Sequence, residues 1–348
     1  MARAATLMTP DATVPTRPPV AEPRWRGMLQ RAWRAVRRSH AIRLLYVRGF
    51  RFAQSLGFSI TPVHFYFPIP DLARVENRKW PGGPGEAAIR FDVNLQLAKL
   101  HDWRVYEPEW DFNDEPDESY AFHRNNGFFE SVDAEVAYSI LRERKPKRVI
   151  EVGGGNSTRL LATALRKNAE EQKPCELISV EPHPDDWLKR GFPGLSRLIP
   201  SPVQDLPPSF FDQLEAGDVL FLDSSHVVSL GSDVVYEILE VLPRLKKGVM
   251  VHFHDIFMPA DYPKKFVMDN LCFWGEQYLL QAFLCGNEKF RIVWSGSMMQ
   301  LGYQNLLRAV FPRWQGSYTR MPEPMKMFAP TYDGQNVWPC SLWIEKCA

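Results

Sequence analysis

Lys147 to Thr158 reads Lys-Arg-Val-Ile-Glu-Val-Gly-Gly-Gly-Asn-Ser-Thr, a stretch that leaves the chain around it few options. Val149, Ile150 and Val152 make a short apolar run suited to a buried strand, and Leu160, Leu161, Ala164 and Leu165 follow at helical spacing. Between strand and helix lies a glycine turn. Gly153 and Gly155 can take positive φ and let a ligand come close to the backbone, while Asn156 or Ser157 caps the helix and leaves its first N–H groups free. The turn therefore predicts a cradle for a nucleotide-like ligand. Glu151, at the carboxyl end of the strand, puts negative charge beside that cradle, which favours a cationic ligand over a pyrophosphate. The blander reading of the same residues is an ordinary tight strand-to-helix connection, and the residues downstream argue against it.

Those residues supply strands at the intervals an alternating β/α fold requires. Leu177–Glu181 is a second strand ending in a carboxylate, at the place where a doubly wound fold holds the acid that binds ribose hydroxyls, so Glu181 is the expected ribose ligand. Leu198 and Ile199, with Val203, Gln204 and Asp205, read as a third strand. Asp218–Asp223 is a fourth, apolar between its ends, delivering Asp223, Ser224, Ser225 and His226 to one edge. Gly231–Leu245 has the spacing of an amphipathic helix, and Val249–Asp255 is a fifth strand that again turns polar at its carboxyl end. Phe290–Trp294 and Ser341–Glu345 are the last two strands, separated by a Pro- and aromatic-rich insertion from Tyr303 to Asn336. Polar residues at the carboxyl ends of successive strands share one crevice, which is how an open α/β sheet builds a site.

Upstream, residues 1–23 are rich in Pro, Ala and Thr without periodicity and read as a disordered tail. Residues 24–119 form an N-terminal extension, and residues 120–348 the catalytic domain. From Arg24 to Arg51 nine arginines interleave with apolar residues and no acid appears. A basic helix here either packs on the catalytic domain as a solvated face, which is the favoured reading, or touches anionic lipid at the inner membrane; a mitochondrial transit peptide is a third reading, disfavoured by its start well inside the chain. Thr61–Leu72 is an extended aromatic segment in which His64 and Tyr66 are either packed and satisfied or part of an acceptor-pocket wall. A short helix is expected near Phe91–Leu100. Asp133–Arg144 carries Val136, Ala137, Ile140 and Leu141 on one helical face, which should pack on the sheet.

A net charge of +1 gives no overall steering towards nucleic acid, and no apolar run is long enough to span a bilayer. Cys175, Cys272, Cys285, Cys340 and Cys347 are odd in number and scattered, which fits reduced thiols in a cytoplasm and argues against a disulfide frame or a zinc knuckle.

The Glu151-x-Gly153-x-Gly155 arrangement resembles the first motif of class I S-adenosylmethionine (SAM) dependent methyltransferases. Asp223-Ser-Ser-His226, Val251-His-Phe-His-Asp-Ile256 with Pro259 and Tyr262-Pro263, and Trp274-Gly-Glu-Gln-Tyr278 look like a bacterial group related to the macrocin-type sugar O-methyltransferases. The resemblance covers roughly Tyr120 to Trp294. It implies an α/β fold, a doubly wound seven-stranded Rossmann-like methyltransferase sheet whose seventh strand runs antiparallel between the fifth and sixth. It also implies that Glu151 faces the amino end of the methionine moiety, with Gly153, Gly155, Asn156 and Ser157 beneath the cofactor, and that Gln204 or Asp205 meets the adenine. Asp223 closes that cofactor set. In the family the segment ahead of the glycine motif covers the cofactor, which makes Asn125, Asn126 and Asp133 candidate lid residues. The macrocin-type enzymes hold a divalent cation such as Mg on an aspartate after the fourth strand and a pair of aspartates after the fifth. Asp223 matches the first position and His254-Asp255 the pair, with His254 departing from the pattern.

Methyl transfer to a sugar or another small hydroxylated acceptor needs the acceptor oxygen held in line and relieved of its proton. Two devices are open: His226 or His254 as general base, or a metal on Asp223, His254 and Asp255. Asp223, His226, His254 and Asp255 are thus the expected catalytic set. His252, one step deeper on its strand, reads as packing. The rival readings are an NAD(P)-dependent oxidoreductase, disfavoured by the acid inside the motif, and a non-catalytic methyltransferase-like module, disfavoured because Glu151, Gly153, Gly155, Glu181 and Asp223 are all in place.

Overall fold

A computed structural model of the chain describes residues 40–59, 61, 68–76, 89–116, 121–268, 270–314 and 339–348. The predicted tail 1–23, the first part of the basic segment, His64 and Tyr66 lie outside the described residues. So does most of the expected insertion, residues 315–338. The chain divides into two compact units, residues 1–69 and 70–348. In the first, His40–Ser55 is a helix that exposes Arg48 and Arg51 together with Leu45, Val47 and Phe52.

The second unit is built on a seven-stranded sheet in the order β3-β2-β1-β4-β5-β7-β6. The strands are β1 Arg148–Val152, β2 Glu176–Val180, β3 Arg197–Ile199, β4 Val219–Leu222, β5 Met250–Phe253, β6 Phe290–Ser295 and β7 Leu342–Lys346. β1 to β5 are parallel, and β7 runs antiparallel between β5 and β6. This is the expected methyltransferase sheet. The oxidoreductase alternative would continue the sheet with parallel strands, so the inserted β7 disfavours it. The third strand stops at Ile199, because Pro202 breaks the ladder and Val203–Asp205 coils into a 3-10 turn instead.

Period-two alternation sorts each strand onto two faces. Val149, Leu177, Val219, Phe221 and Trp343 join one buried cluster; Ile150, Ile178, Leu220, Val251 and Ile344 join the other. The first cluster is covered by the helices Asp133–Arg144, Asn156–Glu170 and Gly296–Val310. The last of these kinks at Tyr303, φ −137°, and continues as helix to Val310, within the expected Pro- and aromatic-rich insertion. Val93–Trp103 belongs to the same layer: Trp103 meets Trp294 edge-on at 5.4 Å, and Gln96 Oε1 accepts from the Ser295 N–H. The opposite cluster is covered by Glu276–Leu284 and by the segment 233–244. That segment is helical as expected but changes pitch, from α over Asp233–Tyr236 to a π-turn over Glu237–Val241 and a 3-10 turn at Leu242–Arg244. Among the described residues no helix is long and apolar enough to cross a membrane.

Parallel strands bring their carboxyl ends to one edge, and the β1–β4 contact is closest there. Gly153 has φ +85°, and a Cβ on it would sit 1.8 Å from the Asp223 carbonyl oxygen. The left-handed backbone alone costs an L side chain about 1–2 kcal/mol. A clash with fixed backbone adds about 1–3 kcal/mol. Gly153→Ala is therefore expected to lower stability by about 2–5 kcal/mol, read as a lower midpoint in denaturant unfolding; an unchanged midpoint would contradict this packing.

Candidate active site

The glycine turn is tied in a way the sequence did not disclose. Glu151 is fully buried, and its carboxylate accepts from Ser157 Oγ at 2.8 Å and Thr158 Oγ1 at 2.6 Å. Burial is the main reason its pKa is pushed up to about 7, against the lowering effect of the two hydroxyls. Glu151 and Ser157 thus brace the turn from below. The helix is capped by neither Asn156 nor Ser157: Gly155 is the N-cap, and its N–H donates to Thr158 Oγ1 at 2.9 Å.

The three glycines also divide their tasks differently from expectation. Gly153 is required by the Asp223 carbonyl, and Gly154 by Ser179 Oγ, which a Cβ would meet at 2.4 Å. Gly155 has φ −168°, so positive φ is not its reason for being glycine, and a Cβ there would meet nothing within 4 Å. Of the three glycines, Gly155 is the one that borders open space, room in which a ligand could lie against the turn. Glu181 is half-buried at the end of β2, where its Oε1 accepts from the His183 N–H at 2.7 Å. Asn156 is half-buried, whereas Gln204 and Asp205 are exposed on the 3-10 turn. These residues fit a nucleoside-bearing ligand: open space over Gly155, and an acid at the ribose position.

Beyond β4 and β5 the chain makes two left-handed turns, His226 with φ 61° and Asp255 with φ 54°. Non-glycine residues in this conformation are uncommon and gather at functional sites. The loop after β4 is held by Ser224 Oγ donating to Glu237 at 2.9 Å and Ser225 Oγ donating to Asp233 at 2.6 Å. The N–H groups of Gly275 and Glu276 donate to the His226 carbonyl at 3.0 and 3.2 Å. Glu276 then returns its carboxylate to His226 Nδ1 at 2.7 Å, and Trp274 packs against the ring at 4.5 Å. That leaves His226 Nε2 3.6 Å from Asp223 Oδ1 and 3.5 Å from Asp255 Oδ2. Burial works against a charge on His226, but Glu276, Asp255 and Asp223 outweigh it and raise its pKa to about 9.

His254 lies on the other side of the same carboxylates. Its Nδ1 is 3.5 Å from Asp223 Oδ1 and 3.8 Å from Asp255 Oδ1, and its Nε2 is 3.6 Å from Cys340 Sγ. Burial again opposes charge on the ring, while Cys340, Asp223 and Asp255 hold its pKa well above the ordinary histidine value. In return, Asp223 stays below the usual carboxylate range despite its burial, because His254 and His226 flank it. His252 packs as expected, stacked on Phe221 at 3.8 Å and bonded to Ser341 Oγ at 2.9 Å.

The structure thus brings together Asp223, His226, His254 and Asp255, and adds three residues. Glu276 lay inside a recognised motif but had no role assigned. Asp133 is no lid: its carboxylate is buried and accepts from the N–H groups of Cys340 and Ser341 at 2.9 and 3.1 Å. Asn126 is likewise buried, in its own turn, where its side chain bonds the backbone of His123, Phe128 and Phe129; the Asn125 side-chain amide donates to Glu115 Oε1 at 3.1 Å. Cys340 carried no signal in the sequence, because its partners are far away along the chain.

The divalent cation implied by the resemblance can be tested against these donors. Mg is a hard ion that takes oxygen ligands in near-octahedral array. Among the described residues the set of donor atoms lying within one ion's reach is Asp133, His254 and Cys340, all within 4.8 Å of one another. Asp223 and Asp255 are not part of it. Imidazole nitrogen and sulfur do not fit Mg, and the space between Asp223 and Asp255 is bridged by His226 Nε2.

Residues 150–256, from β1 to just past β5, match the model of a methyltransferase domain. An uncharacterised protein of Archaeoglobus fulgidus is 32% identical over 181 residues, covering 49% of this chain and 81% of that protein. Solved structures that resemble the chain include CmcI with Mg and SAM, at 15% identity and a TM-score of 0.31 over 47% of this chain and 64% of that one. They also include MycE from the mycinamycin pathway with Mg and SAH, at 16% identity and a TM-score of 0.33 over 67% of this chain and 55% of that one. The chain thus spans about two thirds of the CmcI chain and about half of MycE. At these scores neither likeness bears on the assignment. Identity and coverage carry it: the chain belongs to one family with the archaeal protein, and its residues 150–256 match a methyltransferase domain on the sheet expected of one.

Proposed function

We propose that the enzyme methylates a hydroxyl group of a small polyhydroxylated acceptor, such as a sugar, and that His226 removes the hydroxyl proton. The observation that carries this reading is the placement of His226. One ring nitrogen is held by buried Glu276 at 2.7 Å, and the other faces the gap between Asp223 and Asp255, which are partly open to solvent. Two strand-end carboxylates facing an opening can accept hydrogen bonds from neighbouring hydroxyls and so orient an acceptor. His254 is less well placed, with one nitrogen against Cys340 and the other against Asp223.

SAM, when bound, supplies a methyl group on a positively charged sulfur, open to in-line displacement by the acceptor oxygen. Gly155 and Asn156 would lie beneath it, and Glu181 would accept from its ribose hydroxyls. When the acceptor oxygen took the methyl group and the C–S electron pair stayed on the departing neutral thioether, the hydroxyl proton would pass to His226 Nε2, and the imidazolium would be stabilised by Glu276, Asp223 and Asp255. Only the neutral ring can accept that proton.

The pH dependence follows from this. With its pKa raised to about 9, His226 is mostly charged at neutral pH, so turnover should climb as pH rises towards about 9. Folding stability moves the other way: the bonus from charged His226 is complete below its unfolded value of 6.5 and is lost as pH passes through about 9. Glu276→Gln should shift the rising limb of activity to lower pH, and His226→Gln should remove the limb and cost about 10²–10⁴-fold in kcat. A limb that stays in place in both variants would rule out His226 as the base.

Cofactor affinity is expected to separate from these effects. Gly155→Ala and Glu181→Gln should each weaken S-adenosylhomocysteine binding in calorimetry by about tenfold or more, about one lost hydrogen bond or contact, and the Glu181 variant should do so without lowering the unfolding midpoint. Wild-type affinity in both variants would place the cofactor elsewhere.

A further inference from the structure

Cys340 has no part in that reaction, yet it is the most tightly surrounded thiol in the described structure. It lies just ahead of β7 and is 4% exposed. Its Sγ is 3.6 Å from His254 Nε2, 3.7 Å from Asp133 Oδ2 and 3.3 Å from Asp255 Oδ1. A tetrahedral zinc site has Zn–S near 2.3 Å and Zn–N or Zn–O near 2.0 Å, which puts neighbouring donor atoms about 3.3–3.5 Å apart. The separations from sulfur match that spacing to within a few tenths of an ångström. Asp133 and His254 complete a group with Cys340 in which all three donor atoms lie within 4.8 Å of one another, so a modest contraction would close the site.

We propose that Asp133, His254 and Cys340 form a binding site for a thiophilic divalent cation such as zinc, with the fourth position left to water. Nitrogen, sulfur and carboxylate oxygen are the donors that zinc takes, and a thiolate selects against Mg and Ca. The supports of the ligands are in place. Asp133 is oriented by the N–H groups of Cys340 and Ser341, and the His254 ring packs against Phe129 at 5.3 Å. Charge points the same way. Four acids, Asp133, Asp223, Asp255 and Glu276, crowd around only two imidazoles, a setting that favours an added cation. On binding, the Cys340 thiol releases its proton to solvent, His254 gives up its Nε2 proton and binds through that nitrogen, and the cation forms bonds to sulfur, nitrogen and oxygen.

The site does not depend on the identity of the methyl acceptor or on His226 as base, and its test needs no turnover. Full-length protein stripped with chelator is titrated with Co²⁺, whose thiolate complexes show a sulfur-to-metal charge-transfer band. One equivalent per chain should produce the band, Zn²⁺ should abolish it, and a large excess of Mg²⁺ should leave it intact. Cys340→Ser should lose the band, and Asp133→Asn should weaken Co²⁺ binding at least tenfold. A variant with Cys175, Cys272, Cys285 and Cys347 all replaced by Ser should keep it, which guards against misfolding of Cys340→Ser. Zn²⁺ should also raise the melting temperature of the wild type, because it binds only the folded site. Absence of the band in wild type, its persistence in Cys340→Ser, or its displacement by Mg²⁺ would overturn the proposal.

Discussion

The contact between Gly153 and the carbonyl of Asp223 is the constraint on which the catalytic edge depends. With a hydrogen in place of a side chain, β1 and β4 stay paired past their last residues, and the Asp223 N–H still reaches the Val152 carbonyl at 2.9 Å. The same extension recurs between β4 and β5, where the His254 N–H donates to Leu222 at 3.1 Å. Strand pairing therefore runs on into Asp223 and His254, two residues of the candidate site. Catalytic groups set on a continuing ladder are held more precisely than groups on a free loop, and small errors of placement are costly in rate.

Behind that edge the structure holds an unusual amount of charge out of water. A buried carboxylate is tolerable only if it is protonated, hydrogen-bonded or paired. All three solutions occur within a short distance. Glu151 is lifted towards neutrality by burial and bonded to two hydroxyls; Asp133 takes two backbone N–H groups; Asp223 and Glu276 each face an imidazole. The histidines answer the carboxylates and the carboxylates hold the histidines charged. Neither group would stay buried without the other.

Much of the fold was legible in the sequence because apolar periodicity reports local geometry directly. Val149–Val152, Leu177–Val180 and Val219–Leu222 are strands, and Asp133–Arg144 is a helix, as their spacing requires. Where proline or a change of helical pitch intervened, as at Pro202 and Glu237–Val241, periodicity was blind. The candidate site divides on the same principle. That Asp223, His226, His254 and Asp255 lie together could be read, because all follow the carboxyl ends of the adjacent parallel strands β4 and β5. Cys340 and Asp133 could not, because what unites them is contact across the sheet between residues far apart in the chain. The glycines show a subtler limit: sequence marks the turn as tight, but not whether ligand, backbone or a serine hydroxyl makes it so.

The insertion of β7 between β5 and β6 bears on how the molecule is assembled. β5 and β6 emerge first during synthesis, each presenting an unsatisfied edge, and stay apart until residues 342–346 are available to join them. The short run just before that strand delivers Cys340 and Ser341 to Asp133, more than two hundred residues earlier in the chain. Completing the sheet and closing the polar cluster are thus one late event with a large loop-closure cost. Until it occurs, the nascent chain holds buried acids without their partners and open strand edges, the state in which such a protein is most exposed to aggregation and most in need of a chaperone.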